Sequence, residues 1–355
     1  MKALVLAGGH GTRLRPITFT SAKQLVPVAN KPVLFYGLES LRDAGIREVG
    51  IVVGHTGDEV RAAVGDGSQF GLNFTFLQQE APLGLAHAVL IAREFLGDDD
   101  FIMYLGDNFI LEGLTELASQ FRESRPDAQL LLVKVPNPSQ FGVATLDSEG
   151  RVIELAEKPA RPRSDLAVAG VYLFTPAIHE AVRSVSPSAN GELEITDAIA
   201  FMLRSGRDIR AQVINGYWKD TGRVEDMLEC NRLVLDSIQL SLLGDIDAAT
   251  EVVGRVIVAE GATVRRSRLV GPLIIGADAT VSDAYVGPFT SIGPGCTVTG
   301  TEVEFSIVMA GASLRGVPRI HKSLIGRDAD VAQVKSTPLA HEFIIGDQSQ
   351  IRVTG

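Results

Sequence analysis

The first 239 residues alternate between short apolar runs and amphipathic segments. Five apolar runs of strand length occur at residues 3–7, 49–53, 74–77, 101–105 and 130–135. Between the first two, Leu34, Leu38 and Leu41 share one helical face, and Gly45 follows as a helix stop signal. Strands that alternate with helices in this way predict β-α-β units and an α/β fold with a mostly parallel sheet.

From about residue 244 the pattern changes to one aliphatic residue at every fifth or sixth position. The series is Val252, Val258, Val264, Leu269, Ile275, Val281, Val286, Ile292, Val298, Val303, Val308, Leu314, Ile320, Ile325 and Val331. A helix has a period of 3.6 residues and a strand a period of 2, so neither explains the spacing. A solenoid with three short faces per coil explains it, because each aliphatic residue then points inward. The segment resembles the left-handed parallel β-helix that is built on hexapeptide repeats.

The two patterns predict two domains, at residues 1–243 and 244–355. The helical stretch 223–243 leads from one to the other, and a polar tail from residue 335 follows the coils. A regular solenoid has flat sides with aliphatic side chains, which are suited to association. We therefore expect the second domain to assemble the chain into a homo-oligomer.

The first apolar run leads directly into a glycine-rich segment, Gly8-Gly9-His10-Gly11-Thr12-Arg13-Leu14. Glycines allow backbone N–H groups to approach phosphate oxygens closely, since no Cβ is in the way. Arg13 and Lys23 bring positive charge to the same region. The pattern predicts a loop that binds polyphosphate.

Two common phosphate-binding loops do not fit this segment. A dinucleotide-binding turn requires a third glycine where Leu14 stands, and an acidic residue about 20 positions further on, whereas the next suitable one is Glu39. A Walker A loop requires a closing Gly-Lys-Ser/Thr, which is missing. A tight connection between a strand and a helix remains the structural alternative.

A series of motifs resembles the sugar-1-phosphate nucleotidylyltransferases, and among them the members that transfer a thymidylyl group. The family signature is G-G-x-G-T-R-L followed by K-x-L-x-P-V, which stands here at residues 8–14 and 23–28. Further matching motifs lie at residues 106–108, 141–143, 157–159, 191–197 and 218–222. They cover the first two thirds of the chain, in the family's order.

The resemblance implies that dTTP and glucose 1-phosphate react with release of pyrophosphate and with Mg²⁺ as the metal. It also assigns roles to residues. The catalytic residues are Arg13 and Lys23, the metal ligands are Asp107 and Asp220, the nucleotide contacts are Gly8, Gly11, Gln79 and Gly84, and the sugar-phosphate contacts are Gly142, Glu157, Lys158, Val168 and Tyr172. Asp107 and Asp220 have a structural alternative, since aspartate also favours caps and turns.

Charge and composition agree with this interpretation. The formal net charge of −10 argues against a nucleic-acid groove, so positive charge for an anionic substrate has to be local, at Arg13, Lys23 and Lys158. The chain has two cysteines, Cys230 and Cys296, in no metal-binding or redox spacing. No apolar run is long enough for a membrane span or a signal peptide. We therefore expect a cytoplasmic enzyme with no membrane partner.

The sequence leaves three alternatives open. The enzyme could use UTP or a broader range of sugar phosphates, or the chain could be a regulatory protein that binds a nucleotide without turnover. His321 is the histidine within the predicted solenoid, where related hexapeptide-repeat acyltransferases have a catalytic base, so a second acyl-transfer activity is a further alternative. The other histidines, such as His10, His55 and His87, have no spacing that indicates a metal site, and we expect surface or packing roles.

Overall fold

The computed structural model describes residues 1–214, 216–333 and 345–352, so most of the polar tail lies outside the described residues. The contacts within the chain define two compact units. The first unit comprises Met1–His10, Ala22–Leu25 and Val33–Asp220. The second comprises Gly11–Ser21, Val26–Pro32 and Thr221–Gly355. The second unit thus contains two short segments from the beginning of the chain.

The region up to residue 236 contains thirteen strands and eight α-helices among its described residues. The strands are β1 (Lys2–Ala7), β2 (Pro27–Val28), β3 (Lys31–Pro32), β4 (Glu48–Val53), β5 (Asn73–Gln78), β6 (Phe101–Leu105), β7 (Asn108–Ile110), β8 (Ala128–Lys134), β9 (Gly142–Leu146), β10 (Val152–Glu157), β11 (Leu166–Phe174), β12 (Ile209–Ile214) and β13 (Trp218–Asp220). The helices are α1 (Val33–Asp43), α2 (Gly57–Val64), α3 (Leu85–Ile91), α4 (Arg93–Leu96), α5 (Thr115–Ser124), α6 (Ile178–Ser184), α7 (Ile195–Arg204) and α8 (Val224–Asp236). None of the helices in the described ranges is long and apolar enough to cross a membrane.

The first unit is built around a nine-stranded sheet. β1 pairs in parallel with both β4 and β6, and Leu4 lies opposite Gly50 on one side and Met103 on the other. The four aliphatic side chains of Ala3, Leu4, Val5 and Ala7 are buried, as expected for a strand covered on both faces. The runs at residues 3–7, 49–53 and 101–105 therefore form the adjacent strands β1, β4 and β6 within the sheet, whereas the run at residues 74–77 forms β5 at one edge.

The sheet is mixed at its other side. β11 pairs antiparallel with β6, β8 and β9, and β9 pairs antiparallel with β10. The run at residues 130–135 becomes β8, which is parallel to β12. Helix α1 confirms the predicted helical face, because Leu34, Leu38 and Leu41 are completely buried. The α/β class with a mixed, mostly parallel sheet is confirmed.

The second unit contains α8, the β2–β3 hairpin and a stack of short strands. These are β14 (Ser241–Leu242), β15 (Asp245–Ile246), β16 (Glu251–Val253), β17 (Val256–Val258), β18 (Thr263–Arg265), β19 (Arg268–Val270), β20 (Leu273–Ile275), β21 (Thr280–Ser282), β22 (Tyr285–Val286), β23 (Thr290–Ile292), β24 (Thr297–Thr299), β25 (Glu302–Glu304), β26 (Ile307–Val308), β27 (Ser313–Arg315), β28 (Ile320–His321), β29 (Leu324–Ile325) and β30 (Asp330–Ala332).

These strands form three parallel sheets in which every third strand is a neighbour. The sheets run β14-β17-β20-β23-β26-β29, β15-β18-β21-β24-β27-β30 and β16-β19-β22-β25-β28. Stacked parallel strands on three faces are consistent with the predicted left-handed β-helix. Inward side chains such as Val264, Ile275 and Val298 are completely buried. Each contributes about 1.5–3 kcal/mol relative to an exposed position.

The two cysteines are buried and neither forms a disulfide bond. Cys230 lies on α8, and Cys296 lies inside the solenoid, where its Sγ contacts the Met309 carbonyl oxygen. Burial raises the pKa of the Cys296 thiol. Both therefore behave as small core residues.

Candidate active site

Lys23 lies between two carboxylates in the first unit. Its Nζ is 2.5 Å from Oδ2 of Asp107 and 3.0 Å from Oδ1 of Asp220. Lys23 begins the 3₁₀ helix Lys23–Leu25 and is only 6% exposed. Residues separated by up to 197 positions therefore meet at one buried ammonium group.

Two neighbouring strands bring the carboxylates together. Asp107 directly precedes β7, and Asp220 ends β13, which pairs antiparallel with β7 so that Asp220 lies opposite Asn108. Trp218 on β13 donates its indole N–H to Oδ1 of Asn108 and to the carbonyl oxygen of Ala169. The indole therefore ties this strand pair to β11.

A glycine allows the chain to pass close to β1 before Asp107. A Cβ at Gly106 would lie 2.9 Å from the carbonyl oxygen of Leu6, and the N–H of Gly106 donates to that oxygen. A side chain at this position would push the carboxylate loop away from the sheet. Glycine in the Gly-Asp-Asn motif therefore keeps Asp107 close to the end of β1.

The charge of Lys23 is secured by its partners. Burial by itself lowers the pKa of Lys23, but the negative charges and hydrogen bonds of Asp107 and Asp220 outweigh burial and raise the pKa above its ordinary value. Lys23 is therefore a cation at neutral pH. One positive and two negative charges leave this group with a formal charge of about −1, which favours a further cation.

The donor set of this group fits Mg²⁺. Carboxylate oxygens of Asp107 and Asp220 both contact the Lys23 ammonium group and so lie near each other, and Mg²⁺ is commonly bound in proteins by one or two carboxylates together with water and substrate phosphates. No group of three or more His, Cys, Asp or Glu side chains in residues 1–214, 216–333 and 345–352 could hold a metal ion by itself. A metal at Asp107 and Asp220 thus requires water or phosphate oxygens to complete its shell.

The glycine-rich segment continues without an α-helix. A Cβ at Gly8 would lie 3.2 Å from the backbone nitrogen of Gly54, so a side chain there would be tightly packed against that backbone. Gly11 has φ +59° and precedes the 3₁₀ helix Thr12–Leu14, whose residue Arg13 is exposed. Gly11 and Arg13 belong to the second unit, whereas Gly8 belongs to the first. The structure therefore contains no strand-to-helix turn of the dinucleotide-binding type here.

Gln79 and Gly84 form a second group in the first unit, together with His87. Nε2 of Gln79 lies 3.0 Å from Nδ1 of His87 and 3.3 Å from the carbonyl oxygen of Gly84. Gly84 has φ +98°, and a Cβ there would lie 2.4 Å from the carbonyl oxygen of Leu193. With both amide hydrogens engaged in this way, Gln79 presents its Oε1 as a hydrogen-bond acceptor.

The predicted sugar-phosphate residues form a third group, around Glu157. Gly142 lies opposite Glu157 in the β9–β10 pair, and a Cβ at Gly142 would lie 3.3 Å from Oε2 of Glu157 and 3.8 Å from the Val168 side chain. Oε1 of Glu157 is 3.1 Å from Nζ of Lys158, whose side chain is about half exposed. Burial lowers the pKa of Lys158, but Glu157 reverses the effect and raises it.

Tyr172 lies on β11 and is 4% exposed. Burial, and after it the negative charge of Glu157, raises the pKa of the Tyr172 hydroxyl far above its ordinary value. The phenol therefore remains neutral and can donate a hydrogen bond.

Several residues in these groups had no role in the sequence prediction. Thr196 donates its hydroxyl to Oε2 of Glu157 at 3.0 Å, and Oε1 of Gln24 is buried without a hydrogen-bond partner in the described part of the chain. His87 holds the amide of Gln79. Thr196 and Gln24 lie within the matched motifs, which was the available signal, whereas His87 had none.

His321 has a different environment from these groups. It lies on β28 with a half-exposed side chain, and its Nε2 is 3.9 Å from Oε1 of Glu304. Its ring centroid lies 6.1 Å from that of Phe305. A single weak carboxylate contact gives this residue no further catalytic partner within the described coils.

The chain is similar to known proteins along its whole length. Residues 2–237 match the family model "Nucleotidyl transferase". The glucose-1-phosphate thymidylyltransferase of Streptomyces griseus is 60% identical over 354 residues, which is 100% of both chains, and that of Streptomyces antibioticus is 60% identical over 99% of both chains. Among solved structures, a putative glucose-1-phosphate thymidylyltransferase from Bacillus anthracis in complex with a sucrose is 33% identical, with a TM-score of 0.63. The matched region covers 68% of this chain and 97% of the chain in that structure.

Proposed function

Since the chain belongs to the nucleotidyl transferase family, we propose that it is a glucose-1-phosphate thymidylyltransferase, which forms dTDP-glucose and pyrophosphate from dTTP and glucose 1-phosphate. One observation carries the proposal. The buried Lys23 of the family signature bridges Asp107 and Asp220, two further motif residues whose side chains are partly exposed. A nucleotide-binding protein without turnover has no need of this arrangement of a charged lysine and two carboxylates.

The chemistry is an in-line displacement at phosphorus. A phosphate oxygen of glucose 1-phosphate forms a bond to the α-phosphorus of dTTP, and the bond from that phosphorus to the bridging oxygen of the β-phosphate breaks. Pyrophosphate leaves with the electron pair. Negative charge develops on the non-bridging and leaving oxygens, so fixed cations accelerate the reaction and no protein nucleophile is required.

The roles of the phosphate-binding residues follow from their charges. Lys23 and Arg13 stabilise the triphosphate and the charge that develops during displacement. Gly8 and Gly11 provide backbone N–H groups that can approach phosphate oxygens. Lys23 is held in place by its carboxylates before any substrate arrives, which spares the reaction the cost of orienting it.

Nucleotidyl transferases generally use a divalent metal ion, and we propose Mg²⁺ for this chain. Asp107 and Asp220 would hold it, and when bound it neutralises charge on the phosphate oxygens. The two aspartates also hold Lys23 in position, so each would act both as a metal ligand and as a partner of the lysine.

Gln79 recognises the base of the nucleotide, and Glu157 recognises the sugar. Oε1 of Gln79 is an acceptor, which matches the imide N–H of thymine or uracil and not the acceptor nitrogen of cytosine. Glu157 accepts hydrogen bonds from sugar hydroxyl groups, with Gly142, Val168 and Tyr172 beside it. Lys158 neutralises the sugar phosphate.

We further propose that residues 1–243 carry the chemistry and residues 244–355 assemble a cytoplasmic homo-oligomer. Large aliphatic side chains are exposed where the two segments meet, at Leu240, Leu242 and Leu243, and on the first coil at Val253. The flat aliphatic sides of a solenoid are suited to association, and these exposed side chains lie at the start of that solenoid. The mass of one chain is 37.9 kDa, and light scattering should give at least twice that mass. A monomeric mass would contradict the assembly role. Phosphorylated substrates do not cross membranes unaided, which supports a cytoplasmic location.

A substrate panel tests the proposed reaction. Pyrophosphate release is measured with dTTP, UTP, dCTP and dATP, each paired with glucose 1-phosphate, galactose 1-phosphate and N-acetylglucosamine 1-phosphate. The account predicts the highest kcat/KM for dTTP with glucose 1-phosphate. A preference for UTP would shift the function to uridylyl transfer, and release of coenzyme A from acetyl-CoA would support the acyltransferase alternative.

A further inference from the structure

The turn that follows the Lys23 helix has an unfavourable backbone conformation. β2 and β3 pair with Val28 opposite Lys31, so Ala29 and Asn30 form a two-residue turn. Both have positive φ, +47° for Ala29 and +62° for Asn30. Hairpin turns of this kind favour Gly, Asn or Asp, because other side chains are strained at positive φ. Ala29 therefore needs contacts that hold the turn.

Two side-chain hydrogen bonds hold it within the second unit. The backbone N–H of Ala29 donates to Oδ1 of Asn231 at 2.8 Å. Nδ2 of Asn30 donates to the carbonyl oxygen of Ile292 at 2.7 Å. Asn231 lies on α8, and Ile292 ends β23 of the solenoid.

The same solenoid coil fixes Asn231. Ser291 donates its hydroxyl to Oδ1 of Asn231 at 2.6 Å, and Nδ2 of Asn231 donates to the carbonyl oxygen of Phe289 at 3.0 Å. Asn231 and Ser291 are both completely buried. A buried amide with paired donor and acceptor has one orientation, since water cannot replace its partners. The turn, the helix and the coil thus form a single polar network.

The turn in this network follows Lys23 closely in the chain. The 3₁₀ helix ends at Leu25, and only Val26 separates it from β2. A turn held by the solenoid therefore restricts the path of the backbone immediately after the catalytic helix. Persistent backbone strain of this kind requires the surrounding structure to enforce it.

We propose that Asn231 and Ser291 are positioning residues for the reaction: they use solenoid coil 289–292 to hold the 29–30 turn, and so fix the segment that carries Lys23. The proposal rests on the proposed function. It gives the solenoid a part in turnover besides assembly.

The first test compares two buried solenoid serines. Ser291→Ala removes a hydrogen bond of the network. Ser306→Ala is the matched control, because Ser306 is equally buried but bonds to the carbonyl oxygen of Glu304 and the N–H of Ser323. At a temperature at which both variants are folded by circular dichroism, Ser291→Ala should lower kcat several-fold and Ser306→Ala should not. The KM for glucose 1-phosphate should be unchanged in both.

The second test removes the network and then relieves the strain. Asn231→Ala should lower kcat by at least about tenfold, since small displacements of a reacting group have large effects on rate. Adding Ala29→Gly should restore most of the lost kcat, because glycine adopts positive φ without strain and the turn no longer needs the network. If the Asn231→Ala variant were only less stable, its kcat per folded molecule would already equal that of the wild type, and Ala29→Gly would have no loss of kcat to restore.

The outcomes separate the two proposals. Equal kcat values for Ser291→Ala and Ser306→Ala, or a wild-type kcat for Asn231→Ala, would overturn the positioning role. If the wild-type chain releases no pyrophosphate with any nucleotide and sugar phosphate, the proposed function fails instead.

Discussion

Nζ of Lys23 lies 2.5 Å from Oδ2 of Asp107, although the two residues are 84 positions apart in the chain. The lysine comes from a 3₁₀ helix and the aspartate from the loop after β6. A cation that is already held by carboxylates keeps its position and its charge before substrates bind. A displacement at phosphorus is accelerated by a cation with this property, which is the reason for the catalytic role that we propose for Lys23.

Removing either of two cations should slow the chemical step. Lys23→Ala and Arg13→Ala are each expected to lower kcat by about a hundredfold or more, because one preformed charge contact to a transition state has that effect. Steady-state kinetics with dTTP and glucose 1-phosphate provide the measurement.

Two exposed cations serve as controls for these variants. Lys134 lies at the exposed end of β8, and Arg315 pairs with Asp330 on the solenoid. Lys134→Ala and Arg315→Ala should have wild-type kcat. Near-normal turnover in Lys23→Ala or Arg13→Ala would remove that residue from its catalytic role.

The metal requirement should depend on both aspartates. Asp107→Asn and Asp220→Asn are each expected to raise the Mg²⁺ concentration for half-maximal activity by at least about tenfold, since a neutral amide is a poorer ligand than a carboxylate. Titration of activity with Mg²⁺ measures the effect. Asp278→Asn, on the solenoid, is the control and should leave the titration unchanged. Full wild-type activity in excess EDTA would contradict the metal role.

The stabilising effect of Lys23 should be constant across neutral and moderately alkaline pH. The pKa of Lys23 is raised above 10.5 in the folded protein, so its contribution is complete below 10.5 and is lost only as the pH rises through the higher folded value. The difference in thermal unfolding midpoint between the wild type and Lys23→Met should therefore be equal at pH 7, 8 and 9. A difference that shrinks between pH 7 and 9 would mean that Lys23 already loses its proton there.

His87 should influence the choice of base through Gln79. Without His87, one amide hydrogen of Gln79 has no acceptor, and the amide can rotate and present its donor group instead. His87→Ala is expected to raise the KM for dTTP by about tenfold, in line with the loss of a hydrogen bond, and to reduce the preference for dTTP over dCTP. His321→Ala should change neither quantity. Unchanged discrimination in His87→Ala would show that Gln79 is oriented by other contacts.

The sequence predicted the elements whose signal is periodic or local. The sequence predicts the central strands, helix α1 and the solenoid, because apolar residues that point into the core recur at regular intervals along these segments. It does not predict the antiparallel pairs of β11, since the direction of a strand depends on the path of its connections. The motifs also indicated the residues of the Lys23 group, while their distances required the fold.

Contacts between distant, non-periodic residues could not be predicted in this way. Asn231 is a single polar residue within an amphipathic helix, and only the folded chain places it beside Ala29 and Ser291. His87 likewise acquires its role through Gln79. In both cases the relevant partner is chosen by tertiary packing, which leaves no pattern along the sequence.

The most direct test of the central claim follows the phosphorus atoms of dTTP. The chain is incubated with glucose 1-phosphate and Mg²⁺ and with dTTP labelled in either the α- or the γ-phosphate, and the products are separated. Attack of the sugar phosphate on the α-phosphorus predicts that the α-label appears in dTDP-glucose and the γ-label in pyrophosphate, and that Lys23→Ala forms little of either. Release of the γ-label as inorganic phosphate, or no labelled nucleotide sugar from the wild-type chain, would contradict the account.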